Sequence, residues 1–489
     1  MDISKISLNT EGYAGTFFAQ PRIESGLPLP QGRSAKRVLS TSANATVSGA
    51  VCFAGGIDVS GSIRLHLVVE AEDSSLFAFD ADADFTHRIN EASVQPEMSA
   101  HLTAQLFSCR CRADEGGLRL NATITLTAVV FEPVAASAIS ALTGERFLEQ
   151  KQTELITSRR QLLGAQSQRI HEEARIPQRS ALLSISGAPE LTLISPLSDG
   201  TALEGILHCS ALLSDPDGGI FEQHLKFPFS CTVPTESAVD RTATVAVGGL
   251  HAAVIDQEQG VLELDAQLSI SVYGRQQTSN LILTDAYDCD GSFVCESNSK
   301  EGLQYRKTER KKLVLSEQLA VPNHLPEAYV PIYASAQAAI TAIHPDEEGL
   351  RVDGILQSTA VYRCDSGLLH SFMEELPLSF PLDVSCDLAV PTLQILCVQL
   401  QGSGRLLTVD ISLLLSADCY DSATISYVDD LLHSEPAEPK KGIFLYFADE
   451  GESLFDIGKR FLLPVSVLKQ YNPNVKETLS DGEQVLLIK

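Results

Sequence analysis

Leu120-Asn121-Ala122-Thr123-Ile124-Thr125-Leu126 alternates apolar and polar residues without a lapse. Side chains of a strand point to opposite faces in turn, so this stretch reads as a strand with one buried face. The pattern returns twice. Leu264, Ala266, Leu268 and Ile270 alternate with Asp265, Gln267 and Ser269. Val409, Ile411, Leu413 and Leu415 do the same around Asp410 and Ser412, with Leu414 the one lapse. Upstream of each copy lie two more anchors in constant order. Val59-Ser-Gly61-Ser-Ile63 is matched by Leu203-Glu-Gly205-Ile-Leu207 and Val352-Asp-Gly354-Ile-Leu356. Asp84-Phe85-Thr86 is matched by Phe227-Pro-Phe-Ser230 and Leu376-Pro-Leu-Ser379, and the apolar-Pro pairs Leu29-Pro30, Ile176-Pro177 and Val321-Pro322 precede all of these. Recurrence in constant order is the mark of an internal repeat.

Short alternating segments bounded by Asp114-Glu-Gly-Gly117, Asp215-Pro-Asp-Gly-Gly219 and Asp365-Ser-Gly367 make each copy an antiparallel β-sandwich in expectation. The tail differs. Ile443 to Phe447 reads as a strand, Ser453 and Asp456 as a capping box, and Leu454, Ile457 and Phe461 as one helical face ended by Pro464. Ser466 can cap a second short helix stopped at Asn472-Pro473, and Val485 to Ile488 closes a βααβ unit. The expected fold class is therefore mainly β. Three tandem β-sandwich-like repeats (1–146, 147–296 and 297–430), read as beads that space and present surfaces, precede a linker (431–441) and a small α+β domain (442–489). The Pro- and charge-rich linker is expected to let that domain move as a separate body.

Of 489 residues, 36 are Lys or Arg and 63 Asp or Glu, a net charge of −27 that disfavours nucleic acid or an anionic membrane as partner. The one dense basic run, Arg306 to Lys312, is interrupted by Glu309. No signal-peptide pattern opens the chain and no apolar run is long enough for a membrane span, so a cytoplasmic location is expected. Eleven cysteines in apolar strand-like runs read as reduced core residues. No acyl-transfer elbow or phosphate loop occurs, so no catalytic residue is assigned and no enzyme or cofactor is expected. Asp80, Asp82, Asp84 and Glu91 mimic a calcium loop but place Phe85 where glycine is needed. Cys109 and Cys111 lack a second pair at zinc spacing, so no metal site is assigned. Asn121, Asp265 and Asp410 share one slot in the three copies and read as serving the fold.

Tyr446, Gly451-Glu-Ser-Leu454, Ile457, Phe461, Val465, Leu468, Asn472, Leu479, Gly482 and Ile488 make the tail resemble the LysM domain, with Glu452-Ser453 where that family prefers Asp-Thr. The repeated unit resembles the SPOCS domain of endospore formers through its apolar-x-Gly strand start and Phe227-Pro-Phe-Ser230, copy one departing with Asp84 in the proline position. Together they resemble the SipL-like spore-coat morphogenetic proteins. That resemblance implies a non-enzymatic scaffold in the mother cell, at the forespore surface, that binds a SpoIVA-like coat morphogenetic ATPase. The LysM resemblance places binding in two loops, Gly451, Glu452, Ser453, Leu454 and Phe455, then Asn472, Pro473, Asn474, Val475 and Lys476. Leu454, Ile457 and Leu468 suit a core, whereas Phe455 falls off the apolar face and suits a sugar ring or a protein hot spot. The alternative is a protein binding peptidoglycan or N-acetylglucosamine in cell wall or cortex; a glycan hydrolase targeted by its LysM-like domain is a third reading.

Overall fold

The computed structural model describes residues 1–73, 75–114, 116–144, 147–347, 349–435 and 442–488. Unit 1 contains β1 (Asp2–Ala19), β2 (Arg22–Leu27), β3 (Arg37–Phe53), β4 (Gly56–Glu70), β5 (Leu76–Asn90), β6 (Ser99–Asp114) and β7 (Gly117–Thr143). Unit 2 contains β8 (Leu148–Arg175), β9 (Ala181–Pro196), β10 (Gly200–Ser214), β11 (Ile220–Pro234), β12 (Val239–Asp256) and β13 (Val261–Asp288). Unit 3 contains β14 (Phe293–Ala320), β15 (Val330–Asp346), β16 (Gly349–Arg363), β17 (Leu369–Leu382), β18 (Leu388–Ser403) and β19 (Leu406–His433). The boundary expected between 296 and 297 thus falls inside β14. The stretch from Glu145 to Leu163, which the sequence leaves open as a linking helix or the first strand of unit 2, is strand from Leu148 onward. Of the expected linker, Leu431 to His433 close β19, and 436–441 lie outside the described residues.

Each unit is two facing antiparallel sheets. β3-β4-β5 faces β6-β7 with β1 and β2, β9-β10-β11 faces β12-β13-β8, and β15-β16-β17 faces β18-β19-β14, the second sheets of units 1 and 3 joining into one seven-stranded sheet where Glu11 of β1 pairs with Leu303 of β14. The alternating stretches lie in β7, β13 and β19, and their apolar residues, Leu120 to Leu126, Leu264 to Ile270 and Val409 to Leu415, are at most 1% exposed. They fill one core per sandwich. In units 2 and 3 the first strand is unbroken over 28 residues, whereas in unit 1 Pro21 separates β1 from β2, as expected of a residue with no N–H for the ladder.

The two upstream anchors prove to be one structural feature. Gly61 lies opposite Phe85, Gly205 opposite Phe229 and Gly354 opposite Leu378. A Cβ on these glycines would strike the carbonyl of Thr46, Glu190 or Ala339 on the other neighbouring strand, and in the first two units the phenylalanine ring as well. The strand opposite each glycine carries one extra residue, Ser48, Thr192 or Thr341, as a β-bulge.

The units are not beads. Arg64 Nη1 donates to Gly248 O (3.1 Å) between units 1 and 2, Gln394 Nε2 to Pro189 O (3.1 Å) between units 3 and 2, and the Ser40 and Ser335 hydroxyls meet at 2.9 Å between units 1 and 3. Leu39, Val68, Leu212, Ile332, Tyr333 and Val361, drawn from all three units, form one apolar cluster. Beyond Arg275, β13 leaves β12 and continues paired with β8 alone as a two-stranded ribbon. At the far ends of the long strands, Ile139, Leu142, Leu283, Ala286, Phe293 and Val428 bury one another, joined by a second cluster around Leu8, Ala138, Ile282 and Ile425. Apolar contact at both ends closes the units into a ring of three. Sequence periodicity reports each strand's own sandwich face and is silent about these joints.

The tail is β20 (Ile443–Phe447), α1 (Leu454–Phe461), α2 (Val465–Tyr471) and β21 (Gln484–Ile488), with Leu454, Ile457, Leu468, Val485 and Leu487 in a core of its own. No helix among the described residues is long and apolar enough to cross a membrane.

Candidate functional site

Ser453 caps α1 as its spacing predicts: its hydroxyl accepts from Asp456 N (3.2 Å), and the Asp456 carboxylate accepts from Ser453 N (3.0 Å). The second helix starts two residues earlier than a Ser466 cap would allow, with Pro464 at its N-cap, a position whose missing N–H no intrahelical bond requires.

Of the first-loop residues, Gly451 turns the chain at φ +83° and stays exposed. Glu452 is structural. Its side chain is 7% exposed, accepts from the Tyr446 hydroxyl (3.0 Å) and Asp449 N (3.2 Å), and pairs with Arg460 (3.0 Å). Leu454 is wholly buried. In the second loop Asn472 is buried too, its amide donating to Leu468 O (2.8 Å) and Leu486 O (2.9 Å) and accepting from Leu486 N (2.7 Å). Val475 packs on the tail core, while Pro473, Asn474 and Lys476 are exposed. The first loop runs alongside the segment that follows the second, through Gly451 N to Leu479 O (2.9 Å), Leu479 N to Glu452 O (2.9 Å) and a bridge between Ser453 and Thr478. Five of the ten candidate residues, Glu452, Ser453, Leu454, Asn472 and Val475, are therefore occupied in holding the domain together.

Phe455 corrects the sequence reading. It is half-buried and meets the Tyr287 ring edge-on at 5.1 Å, so its aromatic face is spent inside the molecule. Around it the tail is seated on the ribbon end of unit 2. The Tyr287 hydroxyl donates to Leu463 O (2.8 Å), Lys459 Nζ pairs with Asp285 (2.7 Å), and Val465 N donates to Glu149 Oε1 (2.9 Å). Burial, helped by the Glu149 charge, pushes the Tyr287 phenol far above its ordinary value. Gly458 lies flat on that hydroxyl, and any side chain there would collide with it. The expected freely moving tail is thus a docked one. No local pattern marks Tyr287, the penultimate residue of β13.

The far face of the tail is open. Ile443, Leu445 and Phe447 alternate along β20 and are 73%, 53% and 56% exposed. On one strand such a stripe stands on a single sheet face.

The other candidates dissolve into pairs. Asp80 accepts from His66 (2.6 Å) and Asp82 from Arg64 (3.1 Å), while Asp265 holds Arg169 (2.8 Å) and Asp410 accepts from Gln401 (3.3 Å). Among the described residues no three His, Cys, Asp or Glu side chains gather as a metal site. No disulfide joins any of the eleven cysteines, and burial pushes Cys109 up to about 12 and Cys111 to about 11. Most of the basic run is spent as well: Arg306 donates to Ser385 O (2.7 Å), Lys307 pairs with Glu309 (2.6 Å), Lys311 with Asp383 (3.2 Å) and Lys312 with Glu190 (2.7 Å).

No family model, curated protein or solved structure matches the chain.

Proposed function

We propose that the chain is a non-enzymatic scaffold of endospore coat assembly. The ring of three β-units is its platform, and the LysM-like tail carries the surface that meets a SpoIVA-like coat morphogenetic ATPase at the forespore surface. The observation supporting this reading is the orientation of the tail. Its helix side is committed to Tyr287, Asp285 and Glu149, whereas the apolar stripe of β20 and the loop at Pro473, Asn474 and Lys476 face outward. An exposed apolar stripe on a docked module suits a protein partner.

Binding of the purified ATPase to the full chain tests this directly. Substituting Ile443→Glu together with Phe447→Glu should weaken it about tenfold or more, and raising salt should slow association, since a net charge of −27 favours a basic partner face. Undiminished binding by the double variant would remove the assignment. Saturable binding of N-acetylglucosamine oligomers, with no binding of the ATPase, would transfer the function to the glycan reading.

A further inference from the structure

A cavity of about 210 Å³ lies where units 2 and 3 meet, with His101 of β6 reaching in from unit 1. Its charged wall is Arg160 of β8, Arg310 of β14 and Asp418 of β19. In a chain of net charge −27, two guanidinium groups against one carboxylate is a local inversion. Burial and the neighbouring Arg160 hold the His101 imidazole below its ordinary value, so it adds no charge near neutrality.

The carboxylate is already engaged on both oxygens. Thr308 Oγ1 donates to Asp418 Oδ1 (2.5 Å), and Arg160 Nε stands 3.3 Å from Oδ2. Arg160 stacks over the Tyr273 ring at 3.7 Å, and Arg310 reaches the Ala243 carbonyl. Nε of Arg160 and Nε of Arg310 are both shut off from solvent with no hydrogen-bond acceptor in line, so anything bound in the cavity meets these guanidinium groups through their terminal nitrogens. Burial disfavours Arg310 as a cation, offset in part by Asp418 and Tyr305, with the charge of Arg160 adding a smaller push the same way as burial. Two buried guanidinium charges against one carboxylate are costly, and water in the cavity can hydrogen-bond but cannot balance the excess charge. The space is below the usual 300–1,000 Å³ or so of organic-ligand pockets and suits a small ion with a few waters.

We propose that this cavity is an anion site, in which a free phosphate-sized oxyanion bridges Arg160 and Arg310 and fastens unit 2 to unit 3. Guanidinium is the side chain best matched to such an ion, because its donors lie in a fixed fork. Asp418 sets the site's limit: it competes with the anion for Arg160.

The test uses the full chain. Calorimetric titration with inorganic phosphate, in sodium chloride of matched ionic strength, should show one saturable site, and the melting temperature should rise with phosphate beyond the chloride control. Arg310→Gln should weaken that binding about tenfold or more, Asp418→Asn should tighten it several-fold, and exposed Lys300→Gln should leave it unchanged. No saturable binding by the native chain overturns the proposal, as does equal binding by Arg310→Gln. Should Arg310→Gln fail to fold, the native titration and Asp418→Asn decide alone, failure of Asp418→Asn to tighten binding counting against the site. O-phosphoserine binding more tightly than phosphate would overturn the free-ion assignment.

Discussion

The two joints of this molecule are made of different material. Units 1, 2 and 3 meet through buried aliphatic side chains such as Ile139, Leu283 and Ile282, each wholly shielded from water. Among the described residues, the C-terminal tail meets unit 2 through an aromatic edge contact, a phenol hydrogen bond, an ion pair and a backbone N–H to a carboxylate. Burial of an aliphatic side chain stabilises by about 1.5–3 kcal/mol, whereas a hydrogen bond nets about 0.5–1.5 and a part-exposed ion pair less. The ring is therefore a permanent joint and the tail a releasable one.

The strongest way to break that comparison is to cut the cores. Leu268→Ala in the sandwich of unit 2 and Ile139→Ala in the hub should each cost about 2–5 kcal/mol. Because the hub draws on all three units, Ile139→Ala should lower a single cooperative melt of the ring. Calorimetry is the suitable probe, as the chain has no tryptophan. Separate melting of unit 1 in that variant would show the ring joints to be weak.

The contact of β11 with β15 offers a pH test. Glu222, with 8% of its side chain exposed, is held by the Ser210 hydroxyl and Ala334 N, and burial raises its carboxyl to about 8. The folded form then binds a proton that the unfolded form releases, so this residue's contribution to stability falls as pH rises from about 4.5 to 8. His224 nearby, lowered by burial, works the other way, losing stability as pH falls through its ordinary range. Glu222→Gln should remove the alkaline loss and leave the acid one, as measured by denaturant midpoints between pH 5 and 8. An unaltered alkaline slope would place the titration elsewhere.

At the weaker joint the effects shrink. Gly458→Val should lift the tail off Tyr287 without unfolding the ring, and hydrogen exchange at the Val465 amide should accelerate while that within β13 stays slow. Tyr287→Phe removes one hydrogen bond and should cost the joint about 0.5–1.5 kcal/mol. Lys459→Ala should cost under about 1 kcal/mol, with Lys459 39% exposed. If Lys459→Ala outweighed Tyr287→Phe, charge rather than the phenol would be what seats the tail.

Within each sandwich, much was legible because strand periodicity and sandwich burial are the same fact seen twice, as in Leu120 to Leu126. The capping box at Ser453 and Asp456 was legible for a similar reason: its hydrogen bonds are local. Ring closure was not, since Ser40 and Ser335 or Arg64 and Gly248 carry no mark of their partners. The lapse at Leu414 was a signal overlooked. On the face turned away from the sandwich core it lines the cavity between units. Phe455 was misread because a helical wheel sees one domain's core and not the neighbour lying on its other side. The matching bulges at Ser48, Thr192 and Thr341 were likewise hidden, as a single extra residue leaves the apolar pattern of the facing strand untouched.

Closure of the ring also sets a schedule on the ribosome. Ser40 waits for Ser335, 295 residues further along. At roughly 5–20 residues per second, unit 1 spends on the order of 15–60 s with Leu39 and Val68 uncovered before unit 3 emerges to bury them. During synthesis the earliest part of the chain is thus the last to be finished.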